Sequence, residues 1–420
     1  METMMARAAT GHLPSRRATR PLEALNFFMA DVQAGIGPFL GVFLQSHGWA
    51  TGAIGSVMTA GGVAGMVMTA PAGALIDATK RKRLIIIVTG LCTLAASFLL
   101  LVSQKLWVVA ASQIATAVAG AAIGPAMAGI TLGIVRQKGF NRQNGRNQAF
   151  NHAGNMIGAA LSGWLGWKFG LTAVFWLAAG FGVFAILSVL LIPEKAIDHA
   201  AARGLEHGDD ESAGQAQGFR VLAENKPLLI LAASLACFHL GNGAMLPLYG
   251  LAVVAKGNAN PAAFTATTIV IAQAVMIVAT IVAARLAAAR GYWLVMLISF
   301  LALPIRGLIA ASVIAKWGVF PVQMLDGIGA GLQSVAVPGL VACLLAGTGR
   351  VNVGQGAVMT VQGLGASLSP AIGGWMAQYL GYSATFLILG SFALGSLALW
   401  IGFGATLRPA CAGARDSAPT

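Results

Sequence analysis

The chain has 420 residues, of which 57% are apolar and only 9% charged, against roughly 25% charged in a soluble domain. That balance excludes a water-soluble globular protein and points to a chain that crosses a bilayer many times. The net charge of +13 invites a nucleic-acid partner, but the bases follow membrane topology, so no nucleic acid is expected.

A membrane-spanning helix needs about 20 mostly apolar residues. On that ruler twelve spans are predicted, at 22–44, 53–75, 84–102, 107–135, 147–166, 171–192, 227–251, 263–287, 292–311, 319–346, 353–378 and 384–406. Unbroken apolar runs of this length exclude a transmembrane β-barrel, whose strands alternate in segments of about ten residues. Residues 1–21 are polar and basic and lead straight into the first span, so no cleavable signal peptide is expected. The N-tail, the C-tail and the loops on their side hold 21 of the 26 Lys and Arg residues. The positive-inside rule therefore predicts an inner or plasma membrane protein with both termini in the cytoplasm.

In chain order, the first polar group buried in a span is Asp31, roughly 14–18 Å from the cytoplasmic end and so near the midplane. An ionisable group there costs roughly 2.5–3.5 kcal/mol. It either handles substrate or a proton, or is a hydrogen-bonded structural acid. After the second span comes Gly73-Ala-Leu-Ile-Asp77-Ala-Thr-Lys80-Arg81-Lys82-Arg83, a dense charge cluster between two apolar runs. Span five carries Gln148, Asn151, His152 and Asn155 within about a 100° arc, a continuous polar face. Span eleven repeats it with Asn352, Gln355 and Gln362. Such faces either line a cavity for a polar solute or act as interhelical glue. His152 is a candidate partner for Asp31, and the two would form a pH-sensitive couple.

Residues 193–226 break the rhythm with acids, bases, Ala and Gly, and read as a solvated cytoplasmic linker. His199, His207 and the nearby acids admit a metal-sensing reading, but a solvated linker is the expectation. The layout is thus a tail (1–21), a six-helix bundle (22–192), the linker (193–226), a second six-helix bundle (227–406) and a C-terminal tail (407–420). In span seven, His239 lies at the depth of Asp31 in the equivalent helix, with Asn242 also a cavity candidate. Arg306 in span nine and Asp326 in span ten lie at matching depth and form either a structural ion pair or an anion-recognition site. The cysteines show no metal or redox spacing.

The halves resemble each other. Shifted by 211 residues, Gly163-Trp164 falls on Gly374-Trp375, Gly170 on Gly381 and Phe175 on Phe386. Near the start of each half, Pro38-Phe-Leu-Gly41 matches Pro247-Leu-Tyr-Gly250. Parallel six-span repeats mark a two-bundle transporter with its site between the halves.

Over its whole length the chain resembles the Major Facilitator Superfamily. Gly73, Asp77, Arg81 and Lys82 match that family's loop motif, while Ala78 and Lys80 depart from it. The resemblance implies a cytoplasmic gate at these residues. Gly154, Gly158 and Gly163 resemble the family's span-five antiporter pattern, with Ala159 in place of its proline. Aligned on Gly120, the place of the family's span-four arginine is held by Thr116. The expectation is an all-α membrane protein of twelve helices in two pseudo-symmetric bundles. It would be a monomeric secondary transporter of a small polar or amphipathic solute, proton-coupled, working by alternating access, with export favoured. The alternatives are a proton-linked importer of a metabolite such as an organic acid and a non-transporting sensor or scaffold. Phosphate loops, zinc-ligand pairs and nucleophile triads are missing from the sequence, so no cofactor, metal or enzymatic activity is expected.

Overall fold

The computed structural model describes residues 16–34, 37–199, 201–203, 225–257, 259–345 and 351–411. Among them the regular structure is helical. The first half contains α1 (Arg16–Ala34), α2 (Gly37–Ser46), α3 (Thr51–Ala78), α4 (Lys82–Val102), α5 (Leu106–Phe169) and α6 (Thr172–Leu191). The second contains α7 (Lys226–Asn242), α8 (Met245–Ala255), α9 (Pro261–Arg290), α10 (Tyr292–Ser312), α11 (Val319–Leu344), α12 (Val351–Leu380), α13 (Tyr382–Gly402) and α14 (Gly404–Cys411). These make twelve crossings: α1 with α2 forms the first, α5 supplies the fourth and fifth, and α7 with α8 forms the seventh. Residues 204–224, most of the linker with His207 and its acidic cluster, lie outside the described residues.

Nine stretches among the described residues are long and apolar enough to cross a membrane on their own. The first, fifth and eleventh crossings are of similar length but more polar. Those are the crossings in which the sequence places Asp31 and the two amide-rich faces. Polar residues are retained in a membrane helix when the helix faces protein or a cavity instead of lipid.

The two halves repeat one another in backbone detail. Gly170 ends the fifth crossing at φ 86°, ψ 164°, and Gly381 ends the eleventh at φ 79°, ψ 165°. Both conformations suit glycine alone, and each turns the chain directly into the next helix. The 211-residue sequence shift is therefore a structural repeat.

The fourth and fifth crossings join differently from expectation. In place of a loop, α5 runs through with one break at Arg136, a non-glycine residue at φ 55°, ψ 177°. Such a conformation costs about 1–3 kcal/mol and persists only when neighbours impose it. The guanidinium of Arg136 meets Asp198 at 3.2 Å. The Asp198 amide in turn donates to the Gly133 carbonyl at 2.9 Å. The start of the linker is thus docked on α5, with Ile197 and Ala202 buried. At the far end, helix α14 continues to Cys411, past residue 407 where a tail was expected.

An even number of crossings leaves both chain ends on one side, the terminal face. The halves meet where α3 packs on α12 and where the fifth crossing packs on α9. Toward the opposite face these contacts are tight. Gly52 N–H donates to Gln378 Oε1 at 3.1 Å, Ala371 N–H to Thr59 Oγ1 at 2.9 Å, and Trp375 Nε1 to Ser56 Oγ at 2.9 Å. Gly55 lies against the Pro370 carbonyl, Gly374 against the Thr51 carbonyl, and Gly163 against Ala266. Toward the terminal face the same helices diverge. A Cβ added at Gly73 on α3, Gly145 on α5 or Gly356 on α12 would have nothing within 4 Å. Among the described residues, the halves are sealed at the opposite face and part toward the termini.

Candidate functional site

A buried polar cluster lies in the second half. Arg306, only 1% exposed, stands in the middle of α10. Its Nη1 donates to Asp326 Oδ1 on α11 at 2.7 Å and to Asn242 Oδ1 on α7 at 2.5 Å, and Nη2 reaches Gln323 Oε1 at 3.4 Å. Asn242 Nδ2 also donates to Asp326 Oδ1, at 3.3 Å. The expected Arg306–Asp326 pair is therefore a three-helix network. Pairing offsets part of the cost of burying both charges. The Asp326 side chain, at 11% exposure, is the more accessible partner.

Asn242 is positioned by a break in the seventh crossing. Between α7 and α8, the freed amide of Ala244 donates to Ser369 Oγ on α12 at 2.8 Å. A Cβ on Gly243 would lie 2.9 Å from the Ala366 carbonyl oxygen. Broken helices are tolerated inside a membrane where a neighbour re-satisfies the backbone, as here. One turn before the break, His239 Nε2 pairs with Gln333 Oε1 at 3.1 Å. Gln333 Nε2 donates to Ser299 Oγ at 2.9 Å, and Ser299 Oγ donates to the Gly329 carbonyl at 3.0 Å. His239 lies one turn before Asn242, the residue of α7 that bonds Asp326. Polar groups thus run through α7, α10 and α11 from Ser299 to Gln323.

The fifth crossing distributes its polar face among different partners. His152 Nδ1 bonds Gln273 Oε1 on α9 at 3.0 Å, a contact that joins the two halves. The histidine expected as a partner for Asp31 is thus paired with a glutamine from the other half. The Asp31 side chain itself lies outside the described residues, as does that of Asn352. Asn155 Nδ2 donates to Asn151 Oδ1 at 3.2 Å along the helix, Gln148 is exposed, and Gln355 and Gln362 on α12 are half-buried.

Sequence reading missed a second buried carboxylate. Glu23, 4% exposed, accepts from Arg146 Nε at 2.9 Å and from Gln143 Nε2 at 3.1 Å. Gln143 also donates to Asn147 Oδ1, and Asn147 to Thr131 Oγ1, each at 3.0 Å. An acid at the second residue of an apolar run was the available signal. Its partners, some 120 positions away, were not legible.

At the loop motif, Lys82 is 1% exposed and its Nζ donates to the carbonyls of Ile76 at 2.6 Å and Thr79 at 3.0 Å. A cation there satisfies carbonyls at the C-terminal end of α3 and complements the helix dipole. Arg81 is exposed, Gly73 faces open space, and the Asp77 side chain lies outside the described residues. Arg83 donates to the carbonyls of Val189 and Leu190 at 3.2 and 3.1 Å, tying the loop to α6.

A cavity of about 480 Å³ lies among the first, second and fourth crossings. Its lining includes Gln113 and Thr116 and contains none of the expected site residues. Its wall reaches the seam between halves, since a Cβ on Gly62 would touch Ser367 of α12 at 3.1 Å.

Two six-helix repeats, broken helices with polar groups between them and an opening on one face define a membrane transporter of the two-bundle class. The chain belongs to the Major Facilitator Superfamily, whose profile matches residues 23–353. Two Mycobacterium tuberculosis proteins, from strains CDC 1551 and H37Rv, are each 38% identical over 386 residues, 92% of this chain and 92% of theirs. Each bears the name uncharacterized MFS-type transporter. Among solved structures, a mutant of the nucleoside transporter NupG superposes with TM-score 0.78 at 14% identity, covering 92% of this chain and 99% of that one. A bacterial homologue of the human lysosomal transporter Spinster, in an inward-facing and unoccupied conformation, gives TM-score 0.68 at 12% identity, covering 96% and 98%. At these identities the structural likeness speaks for the fold alone.

Proposed function

We propose that this chain is a proton-coupled secondary transporter that moves a small organic solute by alternating access, with Asp326 as the protonated group. It works as a single subunit in the inner or plasma membrane with its termini in the cytoplasm, so that the conformation described is open to the cytoplasm. The observation that carries the coupling is the Arg306 network. A guanidinium 1% exposed has one carboxylate as its described charge partner, and that carboxylate is the more accessible of the two. A proton on Asp326 would leave Arg306 buried without compensation, which is strongly unfavourable. Relief requires Arg306 and the Asn242 side chain at the α7–α8 break to rearrange. Protonation and helix movement then share one equilibrium. His239, one turn before Asn242 on α7 and bonded to Gln333, is the second group proposed to handle a proton.

The direction taken is export, from the likeness of the fifth crossing to the family's antiporter pattern. The test is reconstitution into vesicles with an imposed proton gradient. Asp326→Asn should abolish gradient-driven transport while leaving solute exchange at equilibrium intact. Retention of gradient-driven transport would overturn the coupling assignment. Loss of exchange as well would return the pair to a structural role. Accumulation of solute inside right-side-out vesicles under an inward proton gradient would reverse the direction.

A further inference from the structure

The cavity among the first, second and fourth crossings has a chemistry that the charged network does not share. None of the fourteen described residues lining it is charged. Its floor is the face of α5 that carries Gly120 and Gly124, and at both positions an added Cβ would meet nothing within 4 Å. About one turn of helix backbone is therefore bare toward the cavity, a strip about 6 Å long between the two glycines. Met58 and Met66 of α3 supply thioethers, and Leu40 of α2 supplies a further apolar wall. Polar side chains are confined to one end, at Gln113 and Thr116, the end nearer the sealed face. The Thr116 hydroxyl has no hydrogen-bond partner in the protein but is buried away from the lumen, so Gln113 is the polar group presented to it.

Each feature restricts the ligand. A side-chain-free backbone strip accepts a flat face and gives a bulky or branched group little to interlock with. Thioether sulfur makes favourable contacts with aromatic rings. A charged ligand would be held in the membrane interior without a counter-charge from the described lining, which is costly. A polyol would bury more hydroxyls than Gln113 can satisfy. The volume lies within the range of small-molecule sites, about 300–1,000 Å³.

We propose that this cavity is a binding site for a neutral, flat, ring-containing solute, its ring lying over Gly120 and Gly124 and a hydrogen-bonding edge turned to Gln113. As the solute of transport it rests on the transporter reading above; as a binding site it is tested alone. The full-length protein in nanodiscs is titrated with neutral fused heteroaromatics (indole, quinazoline, purine), an N-methylated quinolinium cation and mannitol. Binding is read by tryptophan fluorescence and thermal shift. The neutral rings should bind, and the cation and polyol at least tenfold more weakly. Gly124→Leu places a side chain in open space, so it should keep the unfolding temperature of the free protein and weaken ring binding at least tenfold. Gln113→Leu should weaken only those rings that carry a polar edge.

Equal binding of the cation or of mannitol would overturn the proposal. So would ring binding that survives Gly124→Leu, or no ring binding at all. Should Gly124→Leu unfold, Gly120→Ala, with equally open space before it, must weaken ring binding in its place. Rings that bind but are not moved by a proton gradient would leave the site standing and defeat the transport reading instead.

Discussion

The seal at the opposite face rests on the crossing of α3 and α12, and Gly55→Ala tests it directly. An added Cβ would stand 2.8 Å from the Pro370 carbonyl carbon and 3.2 Å from Ala371 Cα. The Pro370 carbonyl oxygen is nearer still. Non-bonded carbons settle at about 3.5–4.0 Å, so the crossing must open by about 1 Å. These neighbours are backbone atoms of a helix and cannot swing aside as a flexible side chain would. Overpacking of this kind costs about 1–3 kcal/mol. The cost falls on the sealed form alone, because in the form open at that face the two helices have parted. A differential of that size moves the balance between the two forms by about 5–150-fold.

The assay is pulsed electron resonance between spin labels, with the four native cysteines replaced. Exposed Lys105 and Lys316 report the opposite face, and exposed Lys80 and Arg290 report the terminal face. Gly55→Ala should lengthen the first distance and shorten the second. Gly73→Ala, on the same helix but with nothing within 4 Å, should change neither. Unchanged distances in Gly55→Ala with normal unfolding would refute the assignment of this crossing as the seal.

Removing either partner of the Arg306–Asp326 pair alone should destabilise the purified protein by about 3–5 kcal/mol, whereas Arg306→Met combined with Asp326→Leu should recover most of that loss. Additive single effects in thermal unfolding would contradict a coupled pair. Lys82→Met leaves the Ile76 and Thr79 carbonyls without their donor and should cost about 1–3 kcal/mol. Arg81→Ala, at an exposed position, should stay within about 0.5 kcal/mol. A double-mutant cycle between His152→Ala and Gln273→Ala should return a coupling near 0.6 kcal/mol, the average for polar contacts in membranes, and zero coupling would remove the bond as a link between halves. Asp77→Asn should lower turnover far more than expression, and equal loss of both would make the loop motif a topology anchor only.

How far the site was legible follows from the range of the interactions that build it. Arg306 and Asp326 could be paired from sequence because their helices are consecutive and the loop between them is short, which fixes relative depth. Gln323, three residues before Asp326, shares its helix face and so was legible from spacing, whereas Asn242 joined them only through the break in the seventh crossing, which spacing does not reveal. His152 shows the limit more sharply. Its placement on a polar face was legible, yet its partner Gln273 lies in the other half and depends on how two bundles dock. The Glu23 network was missed for the same reason.

What the sequence determined by itself was the set of membrane crossings and their two-fold repetition. Burial in lipid is a property of each helix taken alone, because a span must satisfy its own backbone and present apolar side chains wherever its neighbours lie. The tertiary structure decided the choice of partners. Which face of a helix meets protein, cavity or lipid depends on crossing contacts such as Gly55 on Pro370 and Gly163 on Ala266. That is why glycines resembling an antiporter pattern act here as points of helix contact, while Gly120 and Gly124, outside that pattern, face a cavity.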